Sequence, residues 1–248
     1  MVARTSTWIV ATVLDTQQQT PSARSITFDV PEWPGNTAGQ HVDVRLTAPD
    51  GYTAVRSYSL ASWGPQPRIE LAVDEVPNGE VSPYLVDELR PGDQLELRGP
   101  LGAWFIWEPT DAAAPESAPV QLICGGSGIV PLMAMIRAHA DTQSRVPFRL
   151  LYSVRTPADV FFADELALHA ESPYLDVTFV YTRQAPPAWP MPVGRVNRDI
   201  LEAATLSAAD APAVFVCGPT GFVESVADTL VALGHDPMAV KTERFGGA

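Results

Sequence analysis

Apolar and polar positions alternate in short runs over the first 108 residues. Trp8–Val13, Ser25–Val30, His41–Leu46, Ile69–Val73 and Gln94–Arg98 each carry a two-residue rhythm, and turn clusters separate them. Such alternation predicts half-buried strands, and strands at this spacing predict a small antiparallel β-barrel. Pro83–Arg90 reads as a helix closed by Pro91-Gly92, with Ser82 as its cap and Pro83 in its first turn. Residues 109–119 combine proline, alanine and acid, which cannot build a core, and read as a linker. Beyond them the rhythm changes. The apolar runs Val120–Cys124, Phe148–Val154, Asp176–Tyr181 and Val214–Cys217 alternate with helical patterns ending near Asp141 and covering Ala163–Ala170, Arg198–Leu206 and Gly221–Leu233. Ala239–Lys241 reads as a fifth strand. This alternation predicts a five-stranded parallel sheet with helices on both faces, which binds ligands at the carboxyl ends of its strands. The expected organisation is a β-barrel domain at 1–108, a linker at 109–119 and an α/β domain at 120–248.

Charge and cysteine usage narrow the classes. Lysine and arginine total 16 against 29 acids, a net charge of −13. A chain this acidic repels phosphate backbones and anionic membrane surfaces, so neither nucleic acid nor membrane is an expected partner. Two cysteines cannot supply a four-cysteine zinc site or a plant-type [2Fe–2S] cluster. The four histidines are scattered, and no metal site is expected. No apolar run approaches the roughly 18 residues of a membrane span. The first residues lack a charged-then-apolar leader pattern, so a cytoplasmic protein is expected.

Six short motifs carry candidate chemistry. Arg56-Ser57-Tyr58-Ser59 lies at a strand end and offers a planar cation for a diphosphate, a flat ring and a small hydroxyl; it reads equally as an ordinary edge strand. Gly79-Glu80-Val81-Ser82 leads into the expected helix, as an anion site or a plain cap. Gly125 to Pro131 (GGSGIVP) joins an apolar strand to a helix, where a nucleotide pyrophosphate approaches backbone N–H groups. It is not the GxGxxG pattern, because Pro131 stands where the third glycine falls. Cys217-Gly218-Pro219 ends the fourth run, where Cys217 either faces a ligand or is a buried small hydrophobe like Cys124. Arg155 and Arg183 follow the second and third runs, either as solvated arginines or as holders of the 2′-phosphate that separates NADP from NAD. Arg195 and Arg198 are weaker candidates. Finally, Lys241, the one lysine of the chain, and Glu243 precede Phe245, an aromatic three residues from the end.

Taken in order across a β half and an α/β half, these motifs, with GPLG at Gly99–Gly102, resemble the ferredoxin–NADP(H) reductase family over about Trp8 to Phe245. The resemblance implies an N-terminal flavin barrel and a C-terminal NADP domain, with FAD favoured over FMN. Arg56 and Ser57 would hold the flavin diphosphate, completed by Gly79, Glu80, Val81 and Ser82. Tyr58 would flank the ring, Ser59 would lie near its reactive N5, and Val73 is a further cofactor-binding candidate. Gly126, Gly128 and Pro131 would shape the pyrophosphate loop of NADPH. Arg155, Thr182 and Arg183 would read its 2′-phosphate, NADH being the alternative. Cys217, with Gly218 and Pro219, would stand beside the nicotinamide. Glu243 matches the family's near-terminal acid, which works with serine and cysteine around hydride transfer, and Phe245 the aromatic that shields the flavin. Plant-type members end at a tyrosine, whereas Gly246, Gly247 and Ala248 follow Phe245 here, as in bacterial members. The implied activity takes hydride from NADPH and passes electrons to a separate acceptor, an iron–sulfur protein such as a ferredoxin, or an oxygenase component. Its alternatives are a flavin-binding electron-transfer subunit of a larger complex and a free-flavin reductase.

Overall fold

The computed structural model describes residues 7–109 and 118–245. Most of the expected linker and the three residues after Phe245 lie outside the described residues. Six strands build the first half: β1 (Ile9–Thr20), β2 (Ala23–Asp29), β3 (His41–Thr47), β4 (Thr53–Ser59), β5 (Arg68–Asp74) and β6 (Gln94–Leu101). They pair antiparallel in the order β4-β3-β6-β1-β2-β5. A bridge between Leu60 and Leu71 joins the two outer strands and closes the barrel. Inward positions such as Phe28, Val42, Val44, Leu71 and Leu97 are fully buried, as the alternation requires.

The expected helix over Pro83–Arg90 is present but short and tightly wound at its start only: Leu85 N–H donates to the Val81 carbonyl at 3.1 Å in an α-type bond, and Tyr84–Glu88 continue as a π turn closed by Leu89 N–H donating to the Tyr84 carbonyl at 3.0 Å. Leu85 and Leu89 are drawn into the barrel core, and this demand sets the turn's pitch. Ser82 does not cap it. Its Oγ accepts from Val76 N–H at 3.0 Å and ties down the loop before the turn.

The second half contains β7 (Val120–Gly125), α1 (Ile129–Asp141), β8 (Phe148–Val154), α2 (Ala163–His169), β9 (Leu175–Tyr181), α3 (Arg198–Ala204), β10 (Ala213–Pro219), α4 (Thr220–Ala232) and β11 (Val240–Phe245). The parallel sheet runs β11-β10-β7-β8-β9, so strand order reverses beside β7, between it and β10. That reversal opens a crevice at the carboxyl ends of these two strands. No helix among the described residues is long and apolar enough to cross a membrane.

Helix α1 is a wedge between the halves. Every residue from Ile129 to Ile136 is buried, because the sheet covers one side and the barrel segment 38–39 and 105–107 covers the other. Gly39 illustrates how close the fit is: a Cβ there would stand 2.1 Å from the Phe105 carbonyl oxygen and 2.7 Å from Met135 Cε. Arg137 then crosses the junction. Its Nη1 donates to the Ala61 carbonyl at 2.9 Å and to Glu70 at 2.6 Å, and its Nε and Nη2 each donate to Glu165 at 2.7 Å. Trp63 Nε1 donates to Asp141 at 2.8 Å, and Phe162 N–H to Gln19 at 2.9 Å. These contacts fix the cleft between the domains.

Candidate functional site

The barrel wall of the cleft is β4 and the loop before the π turn. Strand β4 pairs with β3 so that His41 faces Ser59, Val42 faces Tyr58, Asp43 faces Ser57 and Val44 faces Arg56. Ser57 Oγ donates to Asp43 at 2.6 Å, and Asp43 also accepts from Arg98 at 2.5 Å. Burial works against the Asp43 charge, but these two bonds outweigh it and lower its carboxyl below the usual range. Tyr58 packs on the barrel core, and burial pushes its hydroxyl up to about 12, so it stays neutral. Arg56 forms an ion pair with Glu80, and Glu80 also accepts from Tyr52 Oη at 2.7 Å. Gly79 leaves no room for a side chain: a Cβ would lie 2.9 Å from the Val76 carbonyl oxygen.

The opposite wall is the carboxyl edge of the parallel sheet. β7 ends at Gly125, and Gly126 to Gly128 form a single 3-10 turn before α1. Gly126 has φ +56° with open space where its Cβ would stand, so its backbone is bare to the cleft. Gly128 serves a different end. A Cβ there would fall 2.2 Å from the Cys217 carbonyl oxygen, so its missing side chain lets the turn lie on β10. Backbone at that distance cannot move aside, and Gly128→Ala is expected to destabilise the chain by about 3 kcal/mol, read as a lower midpoint in urea denaturation. An unchanged midpoint would show that the turn has slack.

Of the twenty residues to which the resemblance gives a role, fifteen line one cleft of about 1350 Å³: Arg56, Ser57, Tyr58, Ser59, Val73, Gly79, Glu80, Val81, Ser82, Gly126, Arg155, Thr182, Arg183, Pro219 and Phe245. Five do not. Gly128 is packed on β10, and Pro131 is buried in the first turn of α1. Gly218, at φ +154°, has its Cα face against Gly125 and the Phe222 ring. Cys217 is fully buried on the α1 face of the sheet, where burial pushes its thiol well up. The structure buries it instead of exposing it to the cleft: alternation along β10 places Phe215 and Cys217 in the core on the α1 face, and Val214 and Val216 in the core on the other. Glu243 is its register partner on β11 and likewise does not line the cleft.

Glu243 is the electrostatic anomaly. Its Oε2 is buried without a hydrogen-bond partner, and its Oε1 is 3.7 Å from His41 Nδ1, too far for a hydrogen bond. Burial raises its carboxyl to about 7, and burial likewise lowers the His41 imidazole. A polar atom buried in this state is costly unless something completes it. His41 was invisible in the sequence because one polar residue at a strand start carries no signal. Phe222 was missed too. It follows Cys217-Gly218-Pro219 in the first turn of α4, and its ring covers Gly125 and Gly218 at the cleft wall.

At the far end, Arg155, Arg183 and Arg195 converge on the same cleft with Thr182. The Arg155 carbonyl accepts from Arg183 N–H at 2.9 Å, and Thr182 N–H donates to Val154 at 2.8 Å, so backbone bonds fix this corner. None of the three guanidiniums is within ion-pair distance of a carboxylate among the described residues. Three unpaired cations together in a chain of charge −13 suit a doubly charged anion.

Residues 11–106 match the oxidoreductase FAD-binding domain, and residues 122–228 match the oxidoreductase NAD-binding domain. The glycine betaine monooxygenase reductase subunit of Chromohalobacter salexigens is 30% identical over 213 residues, covering 84% of this chain and 55% of that protein. The chain thus spans about half the length of the curated relatives it matches. The FAD/NAD-binding domain of nitric oxide dioxygenase from Vibrio cholerae superposes with a TM-score of 0.83 at 23% identity, covering 96% of this chain and 99% of that one. A cytochrome P450 reductase of Amycolatopsis gives 0.82 at 26% identity, covering 99% of this chain and 72% of that one.

Proposed function

Because the chain belongs to the ferredoxin reductase-like family of NAD(P)H-dependent flavoproteins, we propose that it draws hydride from NADPH onto FAD and delivers electrons to an oxygenase component or iron–sulfur protein. The convergence of the β4 motif, the bare Gly126 backbone and three unpaired arginines on one cleft carries this reading. The residues present fit both groups: a cation and a flat apolar wall on the barrel side, a glycine turn and a cationic corner on the other.

Bound flavin supplies the redox chemistry, accepting hydride at N5 and releasing electrons to the acceptor. The protein's own part is placement. Arg56, paired here with Glu80, would hold the diphosphate, and Tyr58 would support the ring. Ser59 would offer a hydrogen bond at the N5 edge. Gly126 N–H would meet the nucleotide pyrophosphate, and Arg155, Thr182, Arg183 and Arg195 would hold a 2′-phosphate. Phe245, half-buried against the α/β core, would shield the flavin ring. Glu243, whose carboxyl burial raises to about 7, would hold or release a proton 3.7 Å from His41 Nδ1. Cys217 is a positioning residue beneath it. The named activity of the betaine monooxygenase reductase subunit favours an oxygenase as acceptor.

Anaerobic stopped-flow mixing of the FAD-loaded protein with NADPH, and separately NADH, tests the reading. Rapid bleaching of the flavin band by NADPH is expected; a yellow protein that neither nucleotide bleaches would overturn it in favour of an electron-transfer subunit. Arg183→Ala is expected to weaken NADPH about 10–100-fold, the loss of a charge-assisted bond, and NADH by less than about threefold. Equal losses, measured by calorimetric titration, would remove the 2′-phosphate assignment.

A further inference from the structure

The barrel sheet has two edges, β4 and β5, and they meet just beyond the end of β4. Leu60 and Leu71 form a bridge there, Ala61 N–H donates to the Glu70 carbonyl at 2.8 Å, and Glu70 N–H donates to Ser62 Oγ at 2.9 Å. Arg137 takes one acceptor from each side of this seam. Its Nη1 donates to the Ala61 carbonyl at 2.9 Å and to Glu70 Oε2 at 2.6 Å. The rest of the guanidinium is fixed from α2: Nε and Nη2 each donate to Glu165 at 2.7 Å, and Cζ lies 5.1 Å from the centre of the Phe162 ring. Both strands joined at the seam carry cleft residues, Ser59 just before Ala61, and Ala72 and Val73 just after Glu70. Val130, in the first turn of α1, also lines the cleft, and Arg137 lies two turns further along the same face, about 10 Å by helical rise. One helix thus starts at the nucleotide wall and grips the seam of the barrel wall.

We propose that Arg137 is a positioning residue for hydride transfer: by holding the barrel seam from α1, it sets Ser59 and its strand against the nucleotide that the start of the same helix receives. This rests on the flavin reading above, which puts Ser59 at the N5 edge. Ser59 ends β4 between two anchors, its register partner His41 and the Ala61 segment. The Ala61 carbonyl has no other hydrogen-bond donor among the described residues, so without Arg137 the second anchor rests on the barrel's own backbone bonds. Hydride passes between atoms about 3–3.5 Å apart, and a misplacement of about 1 Å costs roughly 100-fold in rate. A relaxed seam therefore slows the reaction while leaving both nucleotides bound, because the groups that hold them stay in place.

Two variants test this. Arg137→Met combined with Glu70→Gln and Glu165→Gln removes the guanidinium and the charges it neutralises together, so no carboxylate is left unpaired. Arg137→Lys keeps a counter-charge for folding but loses the planar fork that reaches the seam and Glu165 at once. In the FAD-loaded protein at saturating NADPH, flavin reduction is expected to slow about 10–100-fold in the triple variant and about tenfold in Arg137→Lys. The half-saturating NADPH concentration and the FAD affinity are expected to stay within about threefold of wild type. In the apoprotein, amide hydrogen exchange at Ala61 is expected to quicken about tenfold in both variants, a readout that needs no flavin. A wild-type reduction rate in either folded variant overturns the proposal. So does FAD affinity weakened in step with the rate, which makes Arg137 part of flavin binding, and so does slow reduction with Ala61 exchange unchanged. A wild-type chain whose flavin neither NADPH nor NADH reduces overturns the flavin reading and this proposal with it.

Discussion

Arg137→Met is expected to destabilise the chain by about 3–5 kcal/mol. The guanidinium sits between Glu70 and Glu165, with side-chain exposures of 18%, 20% and 33%, and it also satisfies the Ala61 carbonyl. Its removal leaves two partly desolvated carboxylates without a counter-charge at the domain junction. Breaking such a cluster costs far more than the cluster contributes over an apolar replacement. The triple change Arg137→Met with Glu70→Gln and Glu165→Gln is therefore expected to recover much of the loss. Urea denaturation at neutral pH reads both, and a single variant within about 1 kcal/mol of wild type would mean the junction is held by packing alone. Acid gives a second reading of the same cluster. Burial pushes the Glu165 carboxyl up, but its bonds to Arg137 and His169 more than reverse this and hold it at about 2. A depressed acid stabilises the fold above its unfolded value, near 4.5, and loses that contribution as pH falls from there toward 2. Wild type is expected to lose stability across this window, and Arg137→Met to lose less.

Glu243→Gln is expected to do the opposite: to stabilise the fold at pH 8 by about 2–3 kcal/mol while slowing flavin reduction. Burial raises the carboxyl from 4.5 to about 7. Between these values the folded state binds the proton that the unfolded state has released, so stability falls as pH rises through the window. Below pH 4 the carboxyl is neutral in both states, and the two proteins are expected to match. Above pH 7 the wild type holds a buried charge with an unpartnered oxygen, which glutamine does not carry. Thermal midpoints at pH 4 and pH 8 measure the difference. If the glutamine variant is the less stable at pH 8, Glu243 is a structural residue, and its place in the proton handling proposed above falls. If it is more stable and reduced more slowly, the chain keeps a destabilising group for its chemistry.

The sequence pattern identified much of this architecture for a physical reason. The α/β strands are buried on both faces, so they read as unbroken apolar runs, and Phe148–Val154 was bounded to the residue. The barrel was harder. β1 extends to Thr20 through Gln17, Gln18 and Gln19, which carry no apolar rhythm but pair with Ser25 and its neighbours across β2. Pairing, not patterning, makes that strand. At the site, the glycines and arginines were legible as types, since special backbone geometry and anion binding restrict which residues serve. Direction was not legible. Nothing local distinguishes Gly126, bare to the cleft, from Gly128, packed on β10, or shows that Cys217 points into the core. His41 draws its meaning from a partner 202 residues away, Glu243.

The wedge helix α1 has a consequence for how such proteins can be rearranged. Because the barrel covers what would otherwise be a bare apolar helix, neither half is a free-standing module. Excising the nucleotide half would uncover Met135, which packs at Gly39, and leave Arg137 without Glu70 and the Ala61 carbonyl, inviting aggregation. The two halves therefore form a single cassette. Recombination or engineering can trade the pair as a unit for joining to other electron carriers, whereas swapping one half between relatives requires Gly39, Phe105 and Met135 to be exchanged together.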